Sequence, residues 1–532
     1  GVRGKARVGF SYKLSGTWQP EGYNLLDGDG YTMLMKEAFY NPSQAANATT
    51  NINELNYNKS WAEYENWNNN TDWVKEVTKF GPQHEFNFNI SGGGEKAQFR
   101  MSAGYKNQEG SVIQQKFEQF TTNLSLDYNV SDRIRFSASF PLTYNNNLKN
   151  YKGLLGIAQK LAPNMAIYRQ NADGSDTDEF YLMNPSGDPN LGNYSSDELK
   201  KIRDLGNPIA IANLAWGKDQ NYRITPNFLV KYELLGVETG KHRLTFNGRV
   251  DFDIFAQSKP TYAAAGLTTL SDYNSSRTSS DNEEFNRFKI GARAELVFNP
   301  HFNNEDINMG MLVRYDMGTQ RTNSQKIGLS NLPGNITSPT IEALLSSMSS
   351  SNGRSAWQSA YTTVHFGYKE RYVVDFRLSL NGDSKFGPKN KWAYFPGVSV
   401  RYNVSDEPFM KWTKSFVSVL GLKASYGITG NAPSQDYLFY NTYNTSAGNY
   451  GFQGQTTPVA RLDGLKLDDL RWEKTSELNL GFELNLFDDK VNIDFNYYDK
   501  NTKDMLMPNI RIPSMTGYTT LSNAYELYWI EA

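Results

Sequence analysis

The chain has 532 residues, a net charge of −2 and no cysteine, which excludes disulfides, zinc–thiolate sites and thiol catalysis and, with no basic block to neutralise phosphates, argues against nucleic acid as a partner. Mean hydropathy is −0.62 and only 39% of the residues are hydrophobic. No run reaches the roughly 18 apolar residues that a membrane-crossing helix needs, but a barrel strand needs only about 9–11 residues, apolar at alternate positions.

Alternation predicts strands, in chain order, near 5–18, 84–92, 97–108, 117–130, 133–146, 222–235, 241–256, 284–299, 307–318, 357–368, 371–382, 391–403, 416–428, 471–486 and 490–502, about fifteen in all. From 242 to 254, Leu244, Phe246, Val250, Phe252 and Ile254 share one face, while Arg243, Asn247, Arg249, Asp251 and Asp253 share the other. Two stretches outside the strands have helical periodicity: 24–40, and 152–162, which ends before Pro163. A soluble sandwich and a membrane barrel both alternate in this way, so the connections decide between them. Strands pair around short turns (92–96, 131–133, 236–240, 367–370, 487–490) and are otherwise separated by long loops at 19–83, 147–221, 257–283, 319–356, 429–470 and 503–532. Short turns at one end and long loops at the other are the outer-membrane arrangement; a soluble sandwich rarely carries several such loops. The fold class expected is all-β, a transmembrane antiparallel barrel.

In such a barrel the polar face lines water. Arg135, Arg249, Asp251, Asp253, Arg293, Arg377 and Glu483 are candidates for the lumen wall. Loop aromatics offer large contact area at low entropic cost, which makes Trp216, Tyr262, Tyr273, Trp357, Tyr437, Tyr440 and Tyr443 candidates for ligand contact; packing within their own loops is the simpler reading for any one of them. Trp61, Trp67 and Trp73 are expected to anchor their loop. Tyr105, Tyr128, Tyr144, Tyr394, Phe395 and Tyr498 fall near strand ends and suit interfacial girdles. The four histidines, His84, His242, His301 and His365, show no metal-ligand spacing. Asp173, Asp176 and Asp178 form an oxygen-rich loop that could hold calcium, but EF-hand spacing is not met and a solvated loop is the plainer reading. No cofactor, resident metal or catalytic residue is expected.

Residues 70–112, NTDWVKEVTKFGPQHEFNFNISGGGEKAQFRMSAGYKNQEGSV, resemble the first outer loop and hairpin of the SusC/RagA family of TonB-linked outer-membrane proteins, as does NLLDGDGYTMLMKEA before them. RYVVDFRLSLNGDSKFGPKNKWAYFPGVSVRYNVSDEPFMK (371–411) resembles its hallmark mid-barrel segment; LGLKASYGITGN (420–431), 467–506 and IPSMTGYTTLSNA (512–524) follow in order. The resemblance implies a 22-stranded barrel around an N-terminal plug, coupling to TonB–ExbB–ExbD, and a SusD-like surface lipoprotein as lid, with a dimer of such pairs as one arrangement. It implies import of oligosaccharides or peptides across the outer membrane of Bacteroidota, without covalent chemistry. A siderophore- or cobalamin-type receptor is the alternative within importers; a barrel-based hydrolase or adhesin is the alternative from another class. GVRG (1–4) resembles the end of the plug, YELYWIEA (525–532) matches poorly, and the expectation is a barrel, 5–532, incomplete at both ends.

Overall fold

A computed structural model describes residues 4–40, 53–55, 58–182, 204–236, 241–268, 277–332, 345–452, 455–464, 466–511 and 519–531. One antiparallel sheet of seventeen segments dominates it. In chain order these are β1 (Gly4–Thr17), β2 (Gly81–Gly93), β3 (Ala97–Glu109), β4 (Lys116–Asn129) and β5 (Ile134–Lys149); after a small hairpin, β6 (Tyr168–Gln170) and β7 (Asp176–Phe180), come β8 (Ala215–Ile224), β9 (Asn227–Leu235), β10 (Arg243–Ala263), β11 (Ser279–Asn299), β12 (Ile307–Ser330), β13 (Leu345–Tyr368), β14 (Tyr372–Asp383), β15 (Trp392–Asn403) and β16 (Val417–Asn431). A second hairpin, β17 (Thr442–Phe452) and β18 (Gln455–Gly464), precedes β19 (Glu473–Leu486), β20 (Val491–Arg511) and β21 (Thr519–Glu531).

Each wall strand pairs with its sequence neighbours. β8 and β9 both lie between β5 and β10; they are halves of one strand broken at Thr225 and Pro226, where proline has no N–H to donate to a ladder. The wall therefore has sixteen strand positions. One more than alternation predicts is β21, from a segment expected to be loop. Among the described residues no pairing joins β1 to β21.

Alternation sets the two faces. Phe10, Phe88, Met101, Leu124, Phe140, Val230, Phe288, Val313, Phe376, Val398, Leu480 and Phe495 are exposed on the outward face, where hydrocarbon and not water is the natural neighbour. Near its outer edge a belt of rings runs across the strands, Tyr12, Phe86, Tyr105, Phe120, Tyr144 and Tyr222, in register one with the next through β1 to β8. One step further out the same face turns polar (Glu118, Asn146, Gln220), which marks the bilayer boundary. The strands do not stop there. β10 continues to Ala263, β12 to Ser330, and β13 begins at Leu345, although 257–283 and 319–356 read as loops in sequence. Once both faces meet water, hydrophobic alternation disappears while backbone pairing persists.

The turn between β13 and β14 has Lys369 and Glu370 both at positive φ, 55° and 57°, closed by Arg371 N–H donating to the Tyr368 carbonyl at 3.0 Å. This is the hairpin geometry that favours Asn-Gly. Replacing Lys369 by Asn together with Glu370 by Gly is expected to raise unfolding stability by about 1 kcal/mol, read as a shifted denaturation midpoint in detergent; an unchanged or lower midpoint would contradict it.

Candidate functional site on the inner wall

The outer mouth is partly filled by a packed core of loop residues. Helix α1 (Gly28–Tyr40) and the short helices α2 (Trp73–Val77), α3 (Leu154–Ala158) and α4 (Pro208–Leu214) bring Trp67, Trp73, Leu154, Met165, Tyr181 and Ile211 into one cluster against Ala215 and Ala263 at the strand tops. Both indoles are satisfied: Trp67 Nε1 donates to Tyr181 Oη at 2.9 Å, and Trp73 Nε1 to the Ala162 carbonyl at 2.9 Å. Trp67 and Trp73 therefore tie their own loop, 19–83, to the loop 147–221. Tyr31 packs against this core with its hydroxyl buried and without a hydrogen-bond partner among the described residues, and burial pushes its pKa from 10.0 up to about 12. Because the folded protein holds this proton longer than the unfolded chain, the neutral ring's contribution to stability is intact below pH 10 and is lost as pH rises toward 12. Tyr31→Phe is expected to remove this alkaline loss and to gain about 1 kcal/mol near neutrality; a variant less stable than the parent in a melting experiment would sink that expectation.

Below this core the inner wall carries paired charges. Asp253 on β10 is held between Arg223 and Arg287, each at 3.0 Å. Asp316 on β12 is held between Arg293 at 2.6 Å and Arg314 at 2.9 Å. Arg249 meets Asp251 at 2.6 Å. Between these groups Gly291 and Gly318 face each other across β11 and β12, leaving bare backbone. The Trp357 ring, from β13, lies over Gly318: a Cβ there would come within 2.2 Å of its Cζ2. Lys289 Nζ sits 4.8 Å from the Trp357 ring centroid. The result is a recess of about 300 Å³ lined by Asp251, Asp253, Lys289, Arg293, Asp316 and Trp357. Toward β4 and β5 an amide ladder continues the inner face: Gln119 donates to Asn145, Asn145 to Asn221, and Gln257 to Asp219, at 2.7–3.0 Å.

Of the residues singled out in the sequence, Arg249, Asp251, Asp253, Arg293 and Trp357 thus come together. The other lumen candidates lie elsewhere: Arg135 pairs with Asp127 at 2.9 Å, Glu483 with Arg401 at 3.0 Å and Lys423 at 3.6 Å, and the Arg377 side chain lies across Gly397. Trp216 and Tyr262 are strand residues, not loop residues. By alternation both face outward, stacked at 6.3 Å, with Leu329 and Leu332 packed on Tyr262, so they cannot line the cavity. Tyr437 and Tyr440 are exposed in the segment after β16, Tyr440 against Phe439 at 4.2 Å, and Tyr443 is exposed on β17; Tyr273 lies outside the described residues. Two girdle residues also need correcting. Phe395 is buried against Phe386 and Trp472, and Tyr498 shares the inner face with Asn496 and Asp494; Tyr394 and Phe395 are adjacent and cannot both face lipid. Asp173 is occupied by Ser175, which donates from its backbone N and its Oγ, and Asp176 accepts from Gln170; among the described residues no three His, Asp or Glu side chains are placed so that they could hold a metal ion. His365 bonds Asp375 at 2.7 Å, and Ser399 Oγ donates to that same carboxylate, not to the imidazole. Lys289, Asp316, Arg223, Arg287 and Arg314 join the site without standing out in the sequence: their charge on the polar face is visible there, but their convergence depends on register between four strands.

An apolar-out, charged-in wall with a belt of rings and long loops at one end defines a transmembrane outer-membrane β-barrel. The chain belongs to the TonB-dependent receptor-like β-barrel family, whose model matches residues 168–526. It is 26% identical to TonB-dependent receptor P3 of Formosa agariphila, covering 86% of this chain and 44% of that protein, and 22% identical to TonB-dependent receptor SusC of Bacteroides thetaiotaomicron, covering 84% and 44%. The fold matches the RagAB peptide importer in its open-open state with a TM-score of 0.73 at 16% identity, covering 98% of this chain and 57% of that one. These relatives bear out the SusC/RagA resemblance and an outer-membrane location in Gram-negative bacteria. The family is one of transporters, which is not an enzyme class. The chain spans less than half the length of these curated relatives.

Proposed function

We propose that this chain forms the barrel wall of a TonB-dependent importer that takes up peptides or oligosaccharides, working with a SusD-like lipoprotein over its outer mouth and powered through TonB–ExbB–ExbD. The observation that carries the ligand class is the recess at Trp357. Within one patch it offers an aromatic face, two cations and three carboxylates over a bare glycine floor. Charges of both signs suit an extended peptide, with its ammonium, carboxylate and amide groups, better than a neutral glycan. The wall's part is to bind and orient cargo; it needs no covalent step.

The test is uptake in a strain lacking the gene. Fluorescent oligopeptides and a neutral oligosaccharide are supplied in parallel. Loss of peptide accumulation, restored by the intact gene, is the expected result. Unchanged accumulation of both would remove the import reading; loss of the oligosaccharide alone would keep import and overturn the peptide assignment.

A further inference from the structure

The outward face of β12 and β13 carries an arrangement that import does not use. Pairing between these strands runs without a shift from Ile307 opposite Tyr368 to Gly328 opposite Ser347. Alternation is therefore unbroken from the lipid-facing Tyr315 and Met317 up to Arg321, and from Val364 up to Arg354. Arg321 and Arg354 stand directly opposite each other, both exposed. Among the described residues neither has an ion-pair or hydrogen-bond partner, whereas Arg223, Arg249, Arg287, Arg293, Arg314 and Arg401 on the inner wall each meet a carboxylate. Like charges directly opposed across a sheet repel, and they repel more beside hydrocarbon than in water.

The rows above and below give the pair its meaning. Beneath it on the same face lie Ile290, Thr319 and Ala356, and then Ala292 and Met317. Level with it are Ile254 and Phe288. Above it is a row of amides, Asn286, Asn323 and Asn352. Asn323 Oδ1 is shielded from solvent and has no donor among the described residues. A recess of about 560 Å³ takes in Ile254, Phe288, Arg321, Asn323, Asn352 and Arg354. Among the described residues the nearest acid on this face by strand register is Glu284 on β11, two rows up, which accepts from Asn282; Asp436 approaches Gly353, on the opposite face. Moving out of the membrane, the surface is apolar, then doubly cationic, then rich in amides. A phosphorylated glycolipid standing in the outer leaflet has the same order: acyl chain, phosphate, sugar.

We infer that Arg321 and Arg354 clamp a phosphate of an outer-leaflet glycolipid, with an acyl chain against Ile254 and Phe288 and a sugar hydroxyl donating to Asn323 Oδ1. Two guanidinium groups on one phosphate form charge-assisted bonds and cancel the repulsion between them. The full-length protein, purified in dodecyl maltoside, is titrated with diphosphoryl lipid A and with its dephosphorylated form, and binding is read by native mass spectrometry. The wild type is expected to prefer the phosphorylated form by about ten-fold or more. The double variant R321Q/R354Q loses that preference, R321K/R354K keeps part of it, and R249Q/R293Q, on the inner wall, keeps all of it. Equal binding of the two lipids by the wild type, or an unchanged preference in R321Q/R354Q, overturns the assignment. Should the glutamine variant fail to fold, the wild-type comparison and the lysine variant still decide.

Discussion

Asn207→Ala is expected to open the outer loop core while leaving the wall intact. The side chain is completely buried and serves two purposes at once. Its Oδ1 caps α4, accepting from Ile209 N at 3.0 Å and Ala210 N at 3.2 Å; its Nδ2 donates to the Ile167 carbonyl at 2.7 Å and the Tyr181 carbonyl at 3.3 Å. One amide thus ties α4 to the segments carrying Met165 and Tyr181. Losing a cap costs about 0.5–2 kcal/mol, and leaving buried groups unpaired costs about 1–3 kcal/mol more. A local loss of about 3 kcal/mol corresponds to more than a hundred-fold rise in opening. Hydrogen exchange should therefore quicken by about that factor in 154–182 and 207–214 and stay unchanged in β11 and β12. Asn207→Asp should be no better than alanine: it keeps the cap acceptor but turns a carboxylate oxygen toward two carbonyls. Gly206 tightens the requirement, since its φ of +79° and a Cβ position 1.9 Å from the Leu267 carbonyl oxygen admit no side chain. Exchange in the loops slowed or barely changed by Asn207→Ala would refute this account.

How far the sequence could be read follows from where its signal originates. Within the bilayer the two faces of a strand meet opposite solvents, so Leu244 to Ile254 and Leu478 to Leu486 announce both the strand and its orientation. The inner face at Arg249, Asp251 and Asp253 was legible for that reason. Above the belt at Tyr144 and Tyr222 both faces are wet. Nothing periodic then distinguishes 323–330 or 345–352 from loop, although they form the outer ends of β12 and β13. Trp216 and Tyr262 read as loop aromatics for the same reason; their outward direction follows only from continuing the alternation of Tyr222 and Ile254 past the membrane edge. Convergence was the other illegible quantity. That Trp357 meets Gly318, Lys289 and Asp316 depends on offsets set by turn lengths, and these cannot be read from any one strand. The tail reads as loop because 525–532 departs from the family resemblance, yet 519–531 pairs with β20.

Trp357→Ala should weaken cargo binding by about ten-fold or more, the scale of one aromatic face lost from a ligand contact, with little effect on barrel stability. The ring is half-buried on the inner face and leans on Gly318 rather than into a hydrophobic core. Its position can be disturbed without touching it: in Gly318→Val the new Cβ would occupy the space now held by Cζ2, evicting the ring. If the aromatic face is what binds, the two variants should raise the apparent KM for oligopeptide uptake alike, and Trp357→Phe should fall between them and the wild type. Trp216→Ala is the matched control, an indole beside Lys218 at 4.9 Å on the outward face, and should leave uptake unaltered. Since Lys289, Arg293, Asp251 and Asp316 surround the ring, binding of charged peptides should also weaken as salt rises, and the weakening should persist in Trp357→Ala because the charges remain. Wild-type KM in both Trp357→Ala and Gly318→Val would show that cargo passes this recess without resting on it.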